Sequence, residues 1–255
     1  MTALVLALVA GAVVGLALGG LGGGGSVLAV PVLIYLLGFT PARAGTASLL
    51  IIAVTSVTGL LAHARAGRVR WRTGLLFAAA GLPVAAAAGA LSARLPAVLL
   101  TVGFALLAAL AAWRMLVAGR RPAPSTTARR GRARPTAVRS TTAGAGLGAV
   151  TGLLGVGGGF LAVPALVSVL AFTMAEAVGT SLLVISANSL AALVPRLGTT
   201  GSLDWTVVAP FTATAVLGAW DGRRLADRFG GGTLQTAFAV ALLAAAALML
   251  VDALR

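Results

Sequence analysis

Residues 11–31 read GAVVGLALGGLGGGGSVLAVP, and this stretch decides how the chain is organised. Gly11, Gly15 and Gly19 recur at four-residue spacing, which places them on one helix face where another helix can approach closely. The consecutive glycines at 22–25 have the opposite effect, because glycine loses the most backbone entropy on ordering and breaks a helix. The stretch therefore predicts a helix, a break and a second short helix inside one hydrophobic block.

The chain as a whole has the composition of a membrane protein. Of its 255 residues, 59% are hydrophobic and 9% are charged, whereas about 25% of the residues in a soluble domain are charged. The mean hydropathy is +1.05. Apolar blocks of about 20 residues, the length that a spanning helix needs, recur along the sequence. These blocks are rich in Ala and Leu and lack period-two alternation, so we predict an all-α integral membrane protein in the lipid bilayer.

Residue content excludes several kinds of chemistry. The chain has no cysteine and a single histidine, His63, which excludes thiol chemistry and a metal site built on cysteine or histidine clusters. The glycine run is not followed by Gly-Lys-Ser/Thr and does not follow a strand, so neither a P-loop nor a dinucleotide fold is expected. We therefore predict no enzyme activity, no cofactor and no metal. The net charge of +14 is attributed to the positive-inside rule rather than to nucleic acid, because much of it lies in one linker.

The two ends of the chain repeat one pattern. A shift of 133 positions superimposes the LAVP motif at 28–31 on the one at 161–164, and it places on glycines of the second half Gly11, Gly15, Gly19, Gly22, Gly24 and Gly25. After a one-residue slip, Trp71 falls on Trp205. We therefore predict two homologous halves, each a glycine-broken helix pair followed by three transmembrane helices. Duplicated halves with interrupted segments at matching positions are the sequence sign of a secondary transporter.

The repeat divides the chain into three segments. The first transmembrane repeat occupies residues 1–118 and the second occupies residues 141–255. Between them, residues 119–140 carry seven arginines and three prolines. This linker is expected to be cytoplasmic because positive charge accumulates on that side of a membrane. No Lys or Arg precedes Arg43, so the N-terminal block is expected to be a retained membrane helix rather than a signal peptide.

The orientation of the second repeat depends on how often each half crosses the membrane. An odd number of crossings inverts the second repeat, and an even number leaves the two repeats parallel. The inverted arrangement places Arg223, Arg224 and Arg228 inside, whereas the parallel one places Arg196 and Arg255 there. By the positive-inside rule the inverted arrangement is favoured by one arginine, and the parallel arrangement remains the alternative.

The glycine stretches resemble the sulfite exporter TauE/SafE family of membrane permeases. The resemblance is carried by GGLGGGGS at 19–26, by LAVP at 28–31 and by TGLLGVGGGFLAVP at 151–164, and it covers nearly the whole chain apart from the linker. It implies a multi-pass exporter of small anions in the bacterial inner membrane, with sulfite, organosulfonates and related sulfur or carboxylate anions as substrates. The chain departs from the family pattern at Arg70, where an acidic residue is usual.

The candidate substrate site combines the two glycine breaks with neutral polar side chains. A break leaves the following half-helix with unpaired backbone N–H groups and a positive dipole end, which suit an anion. Neutral hydroxyl and amide donors on the third helix of each half would bind an anion weakly enough to release it. The alternative for each hydroxyl is a bond to its own helix backbone. The predicted substrate-binding residues are Gly22, Gly24, Gly25, Ser26, Thr46, Gly155, Gly157, Gly158, Gly159, Thr180, Ser181 and Asn188.

These residues suggest a transport mechanism by alternating access. An anion would sit near mid-membrane between the two breaks while one half of the chain rocks or gates against the other, with a proton as a candidate coupling ion. His63 lies beside arginines and is expected to be solvated at the interface, with proton coupling as the alternative. Asp221 is expected to pair with Arg223 or Arg224, and the tryptophan pair of the repeat is expected to anchor the membrane interfaces.

Two other functions are compatible with the same residues. A passive anion channel would use the same site chemistry. A membrane scaffold or accessory subunit would use the glycine breaks only for helix packing. Saturable, proton-dependent flux distinguishes a carrier from a channel, and the absence of anion flux through folded protein indicates a scaffold.

A branched side chain in either break tests the predicted site. We expect Gly24→Val or Gly157→Val to abolish anion flux while expression stays tolerable, because the added methyl groups occupy the space where the anion approaches the backbone. Flux into proteoliposomes, normalised to folded protein, measures the effect. Normal flux in both variants would contradict the site.

Overall fold

The fold is an assembly of α-helices, which confirms the predicted all-α class. The computed structural model describes residues 2–22, 29–30, 32–92, 137–154, 159–193 and 203–228, with isolated positions in 106–117 and 233–251. Every regular element in these ranges is helical. In chain order they are α1 (Thr2–Leu21), a π-helical turn (Val32–Leu36), α2 (Pro41–Arg65), α3 (Trp71–Ser92), α4 (Ala137–Leu154), α5 (Gly159–Ser168), α6 (Met174–Leu193) and α7 (Trp205–Arg228).

Several predicted features lie outside the described residues. They are the glycine breaks at 23–28 and 155–158, most of the predicted spans at 97–117 and 233–251, the linker up to residue 136 and the loop at 194–202. The helix that follows the linker begins at Ala137, inside the range assigned to the linker from the sequence.

In the part of the chain that the structure describes, four helices are long and apolar enough to cross a membrane. Their spans are Leu4–Leu21, Arg43–Arg65, Trp71–Ala88 and Met174–Leu193. The predicted span in α7 is not among them, because its threonines and Asp221 lower its hydropathy. These lengths and compositions agree with a membrane protein.

The glycine strip of α1 packs against α7, which confirms its predicted role in helix packing. A Cβ atom added at Gly15 would overlap the backbone of Ala215, and one added at Gly19 would overlap the backbone of Ala219. Since both residue numbers rise together along the interface, α1 and α7 run parallel. Only glycine permits this separation, because any larger residue would meet a main-chain carbonyl.

An equivalent contact joins α4 to α3. A Cβ atom added at Gly144 would overlap the backbone of Phe77, and one added at Gly148 would overlap the backbone of Gly81. These two helices are therefore also parallel and in backbone contact. In both pairs a helix from one side of the linker packs against a helix from the other side.

The central contact is between α2 and α6, which run antiparallel. The hydroxyl oxygens of Ser56 and Ser186 are 3.0 Å apart, and a Cβ atom added at Gly59 would lie 3.2 Å from a methyl group of Leu182. Near the end of α2, a Cβ atom added at Gly179 would lie 3.3 Å from the Cβ atom of His63. As the residue number rises along α2 it falls along α6, so the start of α6 lies beside the end of α2.

These directions bring the basic loop between α2 and α3 and the basic terminus of α7 to one end of the bundle. We call it the loop end, because residues 66–70 connect α2 to α3 there. Gly22 follows α1 and lies beside Val178 in the second turn of α6, so α1 also ends at the loop end. Since α7 runs parallel to α1, its basic terminus lies there too. In agreement, the guanidinium carbon of Arg65 is 5.4 Å from the centre of the Trp220 ring.

Two glycines of α4 provide a matched test of backbone contact. We expect Gly148→Ala to lower the free energy of unfolding by about 1–3 kcal/mol, because the new methyl group overlaps the Gly81 carbonyl. Gly146 has no atom of another element within 4 Å of an added Cβ. Gly146→Ala should therefore leave stability unchanged or slightly raised, since alanine is the better helix former.

Thermal unfolding of the purified protein in detergent, followed by fluorescence-detected size exclusion, compares the two variants. Equal unfolding midpoints for Gly148→Ala and Gly146→Ala would contradict the backbone contact between α3 and α4.

Candidate polar site at the ends of α1 and α2

The first predicted break begins where α1 meets α5 and α6. Gly22 has a φ of +67°, the left-handed conformation in which glycine commonly ends a helix. A Cβ atom added there would lie 2.6 Å from the hydroxyl oxygen of Ser181 and 3.2 Å from a methyl group of Val163. The structure therefore brings together two of the predicted site residues, Gly22 and Ser181. It also requires that position 22 carry no side chain.

His63 is buried beside this turn, so the expectation of a solvated interfacial histidine is wrong. The residue is 1% exposed, and Nε2 lies 2.9 Å from the carbonyl oxygen of Gly19. A carbonyl oxygen only accepts, so Nε2 carries the proton in this bond. The last carbonyls of a helix lack partners within the helix. His63 thus satisfies a carbonyl in the last turn of α1, and it lies between α1 and Gly179 of α6.

The two hydroxyls predicted on α6 already have partners within the protein. Both side chains are fully buried. Ser181 Oγ donates to the carbonyl oxygen of Val178 at 2.8 Å, which is the helix-backbone bond considered as its alternative. Thr180 Oγ1 accepts a bond of 3.1 Å from the backbone N–H of Arg70. Thr180 therefore holds the loop at residues 66–70 against α6.

Arg70 and Glu176 form an ion pair at the loop end, so the arginine that departs from the family pattern has an acidic partner on α6. The guanidinium Nη2 and Glu176 Oε1 are 2.6 Å apart. Thr173 N donates to Glu176 Oε2 at 3.2 Å, and Glu176 N donates to Thr173 Oγ1 at 3.3 Å. This is a capping box at the start of α6. Glu176 was missed from the sequence, although the Thr173-Met-Ala-Glu176 spacing is its signature.

Asn188 lies apart from this cluster, at a small cavity between α3, α4 and α6. Its Oδ1 atom is buried and has no hydrogen-bond partner within the described structure. The cavity is lined by apolar side chains and glycines, among them Phe77, Gly81 and Gly144, and no charged residue lines it. Rotation of the amide exchanges its oxygen and its NH₂ group, so this side chain can present either an acceptor or two donors to the cavity.

The remaining predicted site residues are placed as follows. Thr46 is buried in α2, and Gly159 is the first residue of α5. The structure does not bring Asn188 next to Gly22. The other predicted glycines and Ser26 lie outside the described residues, namely Gly24, Gly25, Ser26, Gly155, Gly157 and Gly158.

Two further features concern the charged and polar residues. Asp221 Oδ1 lies 3.3 Å from Arg224 Nη1, which confirms the predicted ion pair.

Ser186, which the sequence did not single out, meets Ser56 between α2 and α6. The signal for it was a serine in the middle of an apolar helix. In the part of the chain that the structure describes, no group of three His, Cys, Asp or Glu residues is arranged to hold a metal ion.

Comparison with known proteins agrees with this membrane architecture. The sequence matches the family described as "Sulfite exporter TauE/SafE" over residues 7–249. Two proteins from two strains of Xylella fastidiosa, both named "Probable membrane transporter protein", are similar to it. One is 35% identical over 231 residues, covering 89% of this chain and 86% of the relative. The other is 33% identical over 226 residues, covering 88% of this chain and 85% of the relative.

No solved structure shows a significant match to the chain. The family match extends over nearly the whole sequence, and the names of the relatives are those of membrane transporters rather than enzymes. The chain therefore belongs to the TauE/SafE family, and it is a membrane transporter.

Proposed function

We propose that the protein is a secondary transporter that exports small anions across the bacterial inner membrane. Sulfite, organosulfonates and related sulfur or carboxylate anions are the proposed substrates, and a proton is the proposed coupling ion. The proposal rests on membership of the family and on the neutral side chain of Asn188, whose buried Oδ1 atom has no hydrogen-bond partner in the described structure.

The observation that most supports the proposal is a glycine contact that occurs twice. In one case the glycine belongs to the first half of the sequence and its partner to the second half, and in the other case the reverse holds. Gly11 lies against the backbone of Phe211, and Gly144 lies against the backbone of Phe77. The two glycines are 133 positions apart and the two phenylalanines 134, the same shift and slip that relate the two halves of the sequence. This reciprocity supports a duplicated architecture, which is characteristic of secondary transporters.

The directions of the helices support inverted rather than parallel repeats. The third helices of the two halves, α2 and α6, run antiparallel, as inversion requires. Trp71 begins α3 at the loop end, and Trp205 begins α7 at the opposite end. Both side chains are exposed, so the pair fits the aromatic belts at the two faces of a membrane. The arginines near the end of α7 share the loop end with Arg65, as the inverted arrangement expects.

An uptake screen in proteoliposomes tests the function. We expect saturable flux of at least one of sulfite, thiosulfate, a sulfonate or a carboxylate, and we expect that flux to depend on an imposed proton gradient. Non-saturable flux independent of the gradient would indicate a channel. No flux of any of these anions through protein that elutes as a single folded species would contradict transport and favour a scaffold.

The side chains of α6 provide a second prediction, because they differ in whether their hydrogen-bonding groups already have partners within the protein. Asn188 lines a small cavity, and its Oδ1 atom has no hydrogen-bond partner in the described structure. The Ser181 hydroxyl, in contrast, donates its proton to a carbonyl of its own helix. We expect Asn188→Ala to raise the substrate KM by about fivefold to tenfold, since a hydrogen bond is worth roughly 1 kcal/mol. Ser181→Ala should change KM by less than about twofold. The concentration dependence of flux measures both values, and the reverse ranking would contradict a substrate contact at Asn188.

A further inference from the structure

His63 is the one titratable side chain that the bundle buries, among the residues whose side chains the structure describes. It is 1% exposed, and the other buried polar residues are serines and threonines. Histidine is the side chain whose charge ordinarily changes between about pH 5 and 8. A transporter that is coupled to protons needs a group that gains and loses a proton in this range, and His63 is the buried group with that chemistry.

The hydrogen bond of His63 defines the tautomer from which a proton is taken up. Nε2 lies 2.9 Å from the carbonyl oxygen of Gly19 and donates to it, so Nδ1 bears the lone pair of the neutral ring. When Nδ1 takes up a proton, both nitrogens are donors, and the bond from Nε2 to Gly19 is kept. Protonation therefore changes the charge of the ring without breaking its contact with α1.

His63 lies beside the turn that begins the first glycine break. Gly22 follows Gly19 by three residues, and a Cβ atom added at Gly22 would lie 3.3 Å from the Cα atom of Val178. A Cβ atom added at Gly179 would lie 3.3 Å from the Cβ atom of His63. Gly22 and His63 therefore lie against consecutive residues of α6. Over this short distance, a charge on the ring acts strongly on an anion at the break.

The charged groups on the elements around His63 offer it no spare carboxylate in the described structure. Helix α1 carries no charged residue. On α6, Glu176 is paired with Arg70, and on α7, Asp221 is paired with Arg224 and is 61% exposed. The other charged residues of the loop end, on α2, the loop, α3 and α7, are Arg65, Arg68, Arg72, Arg223, Asp227 and Arg228.

Charge balance links the ring to a bound anion. A buried ion without a partner is unfavourable, whether it is an imidazolium or an anion. Because Glu176 and Asp221 are already paired with arginines, the transported anion itself is the counter-charge for an imidazolium at His63. Each of the two ions then favours the binding of the other, and this effect is reciprocal.

We propose that His63 carries the coupling proton, and that it is protonated when an anion is bound at the adjacent glycine break. This inference rests on the proposed transport function and deepens it. Nδ1 takes a proton from water on the side where the anion enters, and it returns the proton to water where the anion leaves. One proton accompanies each monovalent anion, so both ions travel in the same direction as an electrically neutral unit. The anion is then exported when its own outward gradient exceeds the opposing proton gradient.

Accumulation of methanesulfonate in proteoliposomes tests the proposal. A sulfonate stays ionised throughout the pH range of such an assay, so any dependence on protons belongs to the protein. For the unsubstituted protein, we expect a tenfold inward proton gradient to drive about tenfold accumulation of the anion, as one-to-one linkage requires. A membrane potential of either sign should leave this accumulation unchanged, because the transported unit is neutral.

The variant His63→Gln removes the proton site but keeps a donor for the Gly19 carbonyl, since the amide nitrogen of glutamine donates. We expect it to exchange labelled methanesulfonate without accumulating the anion in response to the pH gradient. Its flux should follow the membrane potential instead, because the anion then moves without a proton.

The variant Asp221→Asn is the matched control, because it removes another titratable group at the same end of the bundle. The side chain of Asp221 is exposed and its ion pair lies at the surface. Such a pair contributes little, so accumulation should stay within about twofold of the unsubstituted protein. Equal accumulation by His63→Gln and Asp221→Asn would overturn the proposal.

The single histidine of the sequence allows a measurement that does not depend on flux. In tag-free protein labelled with ¹⁵N-histidine, one ring gives one pair of nitrogen signals, which report its tautomer and its charge. We expect the Nε2–H tautomer at alkaline pH. We also expect the imidazolium to persist to higher pH in the presence of methanesulfonate than in its absence. A titration that the anion does not change would overturn the proposal.

The two measurements separate failure of this inference from failure of the proposed function. Flux that is driven by a proton gradient in both the unsubstituted protein and His63→Gln would keep the transport function and overturn the role of His63. If the unsubstituted protein showed no anion flux, the transport function would fail, and the ring signals would still decide whether a proton and an anion bind together.

Discussion

Backbone contact at glycines is the constraint on which the rest of the bundle depends. Where α1 meets α7 and α4 meets α3, the missing Cβ atoms let two main chains touch over several turns. In a bilayer the hydrophobic effect does not favour one helix neighbour over lipid, so this close packing supplies the attraction between helices. The two tight pairs flank α2 and α6, and these central helices meet each other mainly through side chains.

The sequence predicts those features of the fold that depend on local spacing. The glycine strip of α1 is visible because a missing Cβ must recur every four residues along a packed face. Its partner on α7 is not visible, since the pairing of distant helices depends on the complete bundle. The burial of His63 is not visible for the same reason: its neighbouring arginines suggest exposure, whereas α1 and α6 both lie against it. Arg70 likewise finds its partner Glu176 at a separation of 106 residues.

The candidate site shows a similar limit in chemical terms. Residue types indicate which groups can donate to an anion, but the availability of a donor depends on the acceptors already within reach. Ser181 and Thr180 are engaged by a helix carbonyl and a loop N–H, respectively. Asn188 differs because the carboxamide has more hydrogen-bonding capacity than the apolar cavity around it can satisfy. Such a difference between similar polar residues emerges only from their surroundings.

The exchange of helices between the two sides of the linker has a consequence for biosynthesis. The glycine strip of α1 leaves the ribosome first, but its partner is completed only at Arg228. At about 5–20 residues per second, this delay is roughly ten seconds or more. During that time α1 resides in the membrane with an unpaired packing face, whereas α4 can pack against α3 before α7 has been synthesised. The α3–α4 pair can thus assemble early and the α1–α7 pair only late, so the glycine face of α1 stays open to other partners while the chain is completed.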